Sequence, residues 1–143
     1  MNDILYFILT MGEIGNSQYN MTLYQNSQLL FSIFWMMLLT PFLFMVAYYY
    51  WPLGRSSFFA KNSWYFIVIF CSIITVYFTT YNTIDLFMYE IGFNDTFHIS
   101  SYKTSAIIST FYSTVFSMII TFIFKKLKVG ITNYNIPNFK SSK

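Results

Sequence analysis

Hydrophobic positions along this chain are grouped into three long stretches and do not alternate with polar positions. Residues 29–51, 64–83 and 106–124 contain no Asp, Glu, Lys or Arg. Each stretch has about the 20 residues that a helix needs to cross a hydrocarbon core roughly 30 Å thick. Backbone N–H and C=O groups must be paired inside lipid, so an isolated span of this kind is helical. The pattern predicts an all-α integral membrane protein with three transmembrane helices.

The remaining segments complete the predicted organisation. An N-terminal arm, residues 1–28, precedes the three-helix membrane domain, residues 29–124, and a basic tail, residues 125–143, follows it. The apolar residues 4–9 of the arm are too few to cross a membrane and predict either a short interfacial helix or an arm that lies on a partner. A frayed terminus is an equally good interpretation of those residues. The chain is therefore expected to have one membrane domain with two polar extensions.

Two local features modify the spans. Pro41 lies in the middle of the first span, where its ring meets the carbonyl of Met37 and one backbone hydrogen bond is lost, so we expect a kink. In the second connection, residues 84–105, four apolar residues share one helical face: Ile84, Phe87, Met88 and Ile91. This face predicts a separate short interfacial helix that ends at Gly92.

Charges are divided between the two sides of the predicted membrane domain. All five acidic residues lie in the arm or in the second connection, together with Lys103. The other basic residues lie in the first connection and the tail: Arg55, Lys61, Lys125, Lys126, Lys128, Lys140 and Lys143. By the positive-inside rule this distribution predicts an outer N-terminus and an inner C-terminus. The basic cluster after the third span also suits anionic phospholipid head groups.

Small hydroxyl side chains recur at every fourth position of the third span: Ser105, Ser109, Ser113, Ser117 and Thr121. We call this set the serine ridge. A row of small residues lets two helices approach closely and exchange hydrogen bonds in lipid, so the ridge predicts a packing face. A similar row, here the threonine row, follows the second span: Cys71, Thr75, Thr79 and Thr83. The two rows could pack on each other, contact a partner or line an oligomeric pore, or each hydroxyl could simply bond its own helix.

Composition narrows the function classes. The chain is 56% hydrophobic and 9% charged, far below the roughly 25% of a soluble domain. The spans lack the ionisable residues of an ion pathway. Cys71 and His98 are the only residues of their types, which argues against a zinc site or a haem ligand set. No phosphate loop or nucleophile elbow is present. We expect a non-catalytic chain with no cofactor, no metal and no nucleic-acid partner.

The composition carries a resemblance. Phe and Tyr number 18 and 13, Ala occurs only at positions 47, 60 and 106, and no Lys or Arg precedes Arg55. This bias resembles the AT-rich products of mitochondrial genomes, notably the ciliate type, and an AT-rich bacterium is the alternative. Arg55 in the first connection and the stretch FKKLKVGITNYN are similar to the small chain 4L of NADH:ubiquinone oxidoreductase, called subunit K in bacteria. That family has one glutamate in its second helix and one in its third, and this chain has neither.

The resemblance implies a membrane subunit of the mitochondrial inner membrane, in an enzyme complex, without carrying over proton conduction. The leading hypothesis is therefore a structural subunit that packs against other membrane subunits and phospholipids. A small transporter or channel that oligomerises around Ser113 is the alternative from another class. A proton channel that relies on Asp85 or Glu90 is the weakest hypothesis.

Overall fold

A computed structural model of the 143-residue chain describes residues 6–7, 17–50, 62–92 and 99–127. These ranges are helical apart from short turns and contain four helices of nine or more residues. They are α1, Ser17–Gln25; α2, Ser27–Tyr50; α3, Asn62–Glu90; and α4, Ile99–Leu127. The last three contain spans that are long and apolar enough to cross a membrane: Ser27–Tyr49, Tyr65–Glu90 and Ile99–Phe124. The predicted all-α architecture with three membrane-spanning helices is confirmed.

The long helices run alternately up and down, as two clusters of buried side chains show. In the first cluster Leu30 of α2 packs with Ile84 of α3 and Tyr102 of α4. In the second, Met45, Tyr65 and Ile120 of the same three helices meet. The start of α2 therefore lies beside the end of α3 and the start of α4. We call this the α1 end of the bundle, and the opposite end the far end.

Helix α1 packs against the α1 end through Tyr19 and Leu23, both of which are fully buried. Asn26 joins it to α2. Its side-chain amide donates to the Thr22 carbonyl at 2.8 Å, and its own carbonyl accepts the first α2 bond from Leu30 at 3.2 Å. Asparagine suits such a junction because it is a favoured residue at helix N-caps. The sequence reasoning treated this stretch as a polar part of the arm and missed the helix.

Helices α3 and α4 extend beyond their predicted bounds, 64–83 and 106–124. The expected separate interfacial helix in the second connection is wrong, because α3 continues without a break to Glu90. Ile84 and Met88 continue the buried face of α3, while Asp85 and Glu90 are on its exposed side. Because the charged side chains are not buried, Asp85 does not end the helix. Gly92 does follow the helix end, as expected: its φ is +75°, and its N–H donates to the Tyr89 carbonyl at 3.0 Å.

Several predicted features fall outside the described residues. They are the arm segment 4–9 apart from Tyr6 and Phe7, which are helical, together with His98, Arg55, Lys61, Lys128 and the rest of the tail. Lys125 and Lys126 occupy the last turn of α4, at the far end. Asp85, Glu90 and Lys103 lie at the α1 end. The side of the membrane that each end faces stays a prediction.

Candidate packing site

The structure buries the whole serine ridge inside the chain. Ser109 and Ser113 are 0% exposed, and the other members are no more than 6% exposed. Ser101 lies one turn before Ser105 on the same line and is also buried, so the ridge is longer than predicted. The sequence could have predicted this extension, because Ser101 is four residues before Ser105. Small side chains at these positions let the backbone of α4 lie close to its neighbours.

Most of the ridge hydroxyls bond to their own helix. Ser109 donates to the Ser105 carbonyl at 2.8 Å, Ser117 to the Ser113 carbonyl at 3.0 Å, and Thr121 to the Ser117 carbonyl at 2.9 Å. These bonds to the fourth residue before satisfy a hydroxyl that is shielded from water. The ridge therefore presents compact side chains to the neighbouring helices, and three of its five hydroxyls are satisfied within α4.

The two ends of the ridge also bond to other helices. At the α1 end, the Tyr19 hydroxyl and Ser105 Oγ lie 2.9 Å apart. At the far end, the Tyr65 hydroxyl lies 2.8 Å from Thr121 Oγ1. Because Thr121 gives its one proton to the Ser117 carbonyl, the Tyr65 hydroxyl is the donor in this pair. The ridge is thus joined to α1 at one end and to α3 at the other.

Tyr19 makes its bond from a buried position on α1. Burial raises the pKa of its phenol, and the hydrogen bond to Ser105 partly opposes that shift. Desolvation has the larger effect, so the phenol stays protonated over the physiological pH range. The Tyr19–Ser105 contact is therefore a hydrogen bond between two neutral groups. Sequence reasoning missed Tyr19 and Tyr65, since nothing in a single sequence pairs a tyrosine with a serine 86 residues away.

The threonine row on α3 lies in a different environment. Cys71 is exposed, and Thr75 and Thr79 are half-buried at the edge of the bundle. Thr75 donates to the Cys71 carbonyl at 2.8 Å and Thr79 to the Thr75 carbonyl at 2.7 Å. Only Thr83 reaches another helix, with its Oγ1 at 3.6 Å from the sulfur of Met36. The structure therefore does not bring the two rows together along their length.

The buried face of α3 is a different line of residues. It comprises Tyr65, Ile69, Ser72, Val76, Thr80, Ile84 and Met88. Ser72 and Thr80 are the buried serine and threonine of this face, at 1% and 0% exposure, and the sequence reasoning did not select them. The available signal was the spacing of three and four residues that links them to Ile69, Val76 and Ile84. The regular four-residue spacing of the threonine row therefore predicted a packing face on the side of α3 that is not buried.

The site is suited to packing and to neutral hydrogen bonds. Every side chain in the ridge is neutral, and within the described ranges no group of three or more His, Cys, Asp or Glu could hold a metal ion. Comparison of the chain with protein-family models, curated proteins and solved structures finds no match. The functional interpretation therefore depends on the residues and their geometry.

Proposed function

We propose that this multi-pass membrane protein is a non-catalytic structural subunit of a larger membrane complex. The observation that supports this most strongly is apolar surface at the α1 end, beyond the uncharged part of the spans. Leu86 and Tyr89 are 65% and 68% exposed, and both follow Asp85, the first charge on α3. Met21 on α1 is exposed as well. Large apolar side chains grouped beyond the hydrocarbon core mark a surface that another protein covers.

The length of α3 supports a position of Leu86 and Tyr89 beyond the hydrocarbon core. Residues 65–84 of α3, before Asp85, span about 30 Å at 1.5 Å per residue, the thickness of a hydrocarbon core. The last six residues of the helix, 85–90, extend roughly 9 Å farther. We therefore place the edge of the hydrocarbon core near Asp85, the first charged residue of α3. Leu86 and Tyr89 are therefore placed where head groups or a protein partner must contact them.

Burial of the serine ridge changes how such a subunit would use its surface. A ridge that packs inside its own chain is not available to partners, so neighbouring subunits would contact the aromatic outer faces and the α1 end. Only 33%, 28% and 33% of the residues in the three spanning windows are buried, which leaves a large outer surface for lipid and other subunits. A channel that oligomerises around Ser113 has less support, because that side chain is 0% exposed.

The finer assignment rests on composition and on the charge distribution. We infer that the complex is a respiratory complex of the mitochondrial inner membrane, similar in type to NADH:ubiquinone oxidoreductase, with a bacterial inner membrane as the alternative. The Phe-rich, Ala-poor composition supports the organellar origin. The acids at the α1 end and the lysines at the far end support an outer N-terminus.

Native membranes solubilised in mild detergent and separated on a native gel test the proposal. The band that contains this chain is identified by mass spectrometry, which also names its partners. We expect migration far above the 17.0 kDa of the chain, together with respiratory subunits. Migration as the single chain or as a small homo-oligomer would contradict the proposal and favour the transporter alternative.

A matched pair of variants locates the contact surface. Leu86→Ala with Tyr89→Ala shortens two exposed side chains at the α1 end, and Ile107→Ala with Phe111→Ala does the same on the membrane face of α4, where both are exposed. We expect the first pair to release the chain from the complex and the second to leave it bound. Equal retention of both variants would show that the α1 end is not the docking surface.

A further inference from the structure

The buried apolar core is divided into two parts along the bundle. The cluster at the α1 end stops at Met37 on α2 and Val76 on α3. The cluster at the far end begins at Met45 on α2 and Ile69 on α3. Between the two clusters each long helix contributes a buried residue of another kind: Pro41, Ser72 and Ser113. We call these three residues and the Met37 carbonyl the polar layer.

The polar layer contains two hydroxyls without a hydrogen-bond partner and one carbonyl that lacks its usual donor in the helix. Ser72 Oγ and Ser113 Oγ are buried and have no hydrogen-bond partner among the residues that the structure describes. Ser109 and Ser117, one turn before and after Ser113, do bond to their own helix. Proline has no N–H, so Pro41 gives no helical hydrogen bond to the carbonyl of Met37, although α2 continues through this position.

The contacts at the far end set the depth of each group. Tyr65 bonds Thr121, and Thr121 also contacts the sulfur of Met45, so these three residues define one level. Moving toward the α1 end, Ser72 lies seven residues from Tyr65, Ser113 eight from Thr121, and Met37 eight from Met45. At 1.5 Å per residue these positions are all about 10–12 Å from that level. Two hydroxyls and one carbonyl therefore share a depth near the middle of the membrane.

From this juxtaposition we propose that the polar layer binds internal water between the two apolar clusters. A buried polar group without a partner destabilises the fold by about 1–3 kcal/mol, and water can satisfy hydroxyl and carbonyl groups together. The occupant must be small, neutral, and able both to donate and to accept. An ion does not fit, since residues 65–84 and 104–124 contain no charged side chain. This inference is independent of the function proposed above.

Water-selective nuclear Overhauser spectra of the isotope-labelled full chain in lipid nanodiscs test the proposal. We expect cross-peaks from water to the amide protons of Ser72 and Ser113. The amide of Ile91, in the exposed turn after α3, provides a positive reference in the same spectrum. Absence of cross-peaks at Ser72 and Ser113 in the parent chain would overturn the proposal, and that result requires no variant to fold.

A matched pair of variants then assigns the water to the Ser72 and Ser113 hydroxyls, as distinct from the Thr80 and Tyr49 hydroxyls, which are also buried without a partner among the described residues. Ser72→Ala with Ser113→Ala removes both, and we expect the cross-peaks at this depth to be lost. Ser109→Ala with Ser117→Ala removes two hydroxyls that already have partners in their own helix, and we expect the cross-peaks to remain. Persistence of the cross-peaks in the first variant would also overturn the proposal, because the water would then be held by other groups.

Discussion

The serine ridge of α4 and the threonine row of α3 have the same four-residue spacing but different environments. All members of the ridge are buried, whereas the row begins at an exposed Cys71 and continues through the half-buried Thr75 and Thr79. Both rows use bonds within their own helix. Spacing and residue type alone therefore do not decide whether such a row lies in a helix interface.

The neighbours of each helix explain the difference. Residues four apart on a helix with 3.6 residues per turn are rotated by about 40°, so a long row winds around its helix. On α3 this rotation carries the row from the outer surface toward α2, where Thr83 contacts Met36. On α4 the row passes from the α1 contact at Ser105 to the α2 and α3 contacts at Thr121. It stays buried because another helix lies beside it at each stage.

The largest expected effect comes from enlarging a member of the ridge. Ser109→Leu adds bulk at a 0% exposed position between close helices, so we expect the free energy of unfolding to fall by about 1–3 kcal/mol. Cys71→Leu makes a comparable change at the exposed start of the threonine row, and we expect no measurable loss. Thermal unfolding in mild detergent compares the two. Equal stability of both variants would remove the distinction between the rows.

A smaller effect is expected where a tyrosine bonds the ridge. Tyr65→Phe removes the hydroxyl that donates to Thr121, and interhelical bonds of this kind in membranes contribute about 0.6 kcal/mol. Tyr89→Phe is the matched control, because Tyr89 is 68% exposed at the α1 end. We expect only Tyr65→Phe to lower the unfolding temperature. Identical unfolding temperatures for the two variants would show that this hydrogen bond adds nothing to stability.

The smallest effect is expected in the threonine row. Thr75→Val combined with Thr79→Val removes two hydroxyls that bond only carbonyls of α3. Valine keeps the branched shape, and hydroxyls at the edge of the bundle that bond only within their helix contribute little, so the change in unfolding free energy should stay within about 0.5 kcal/mol. A loss above 1 kcal/mol would indicate a tertiary contact that the structure does not contain.

The three spanning helices could be predicted from the sequence because a stretch of about 20 uncharged residues is long enough to cross a membrane. In lipid the backbone N–H and C=O groups of such a stretch must be paired within it, and only a helix does this. The sequence also selected the serine ridge, all of which the structure buries. The ends of the helices were harder to predict. Asp85 ends the uncharged stretch of α3, but the backbone hydrogen bonds and the buried face continue past it, so the helix ends only at Glu90.

The parts that sequence reasoning missed depend on contacts between distant segments. Helix α1 has a polar sequence, and its burial depends on the position of Tyr19 and Leu23 against the bundle. The buried Ser72 lies on the face of α3 that includes Ile69, Val76 and Ile84, which the spacing of hydroxyls alone does not indicate. The spacing of hydroxyls alone does not distinguish a hydroxyl in the core from one at the edge, whereas their spacing from buried apolar residues does.

The location of the ridge inside the chain is the central structural claim, and alkylation by a membrane-permeant maleimide tests it most directly. The native Cys71 reports on the threonine row, and a Cys71→Ser/Ser113→Cys variant carries the same thiol in the ridge. In the folded, detergent-solubilised protein, followed by mass spectrometry, we expect Cys71 to react and the introduced thiol to stay protected until the chain is denatured. An introduced thiol that reacts as fast as Cys71 would contradict the account, since the ridge would then face outward.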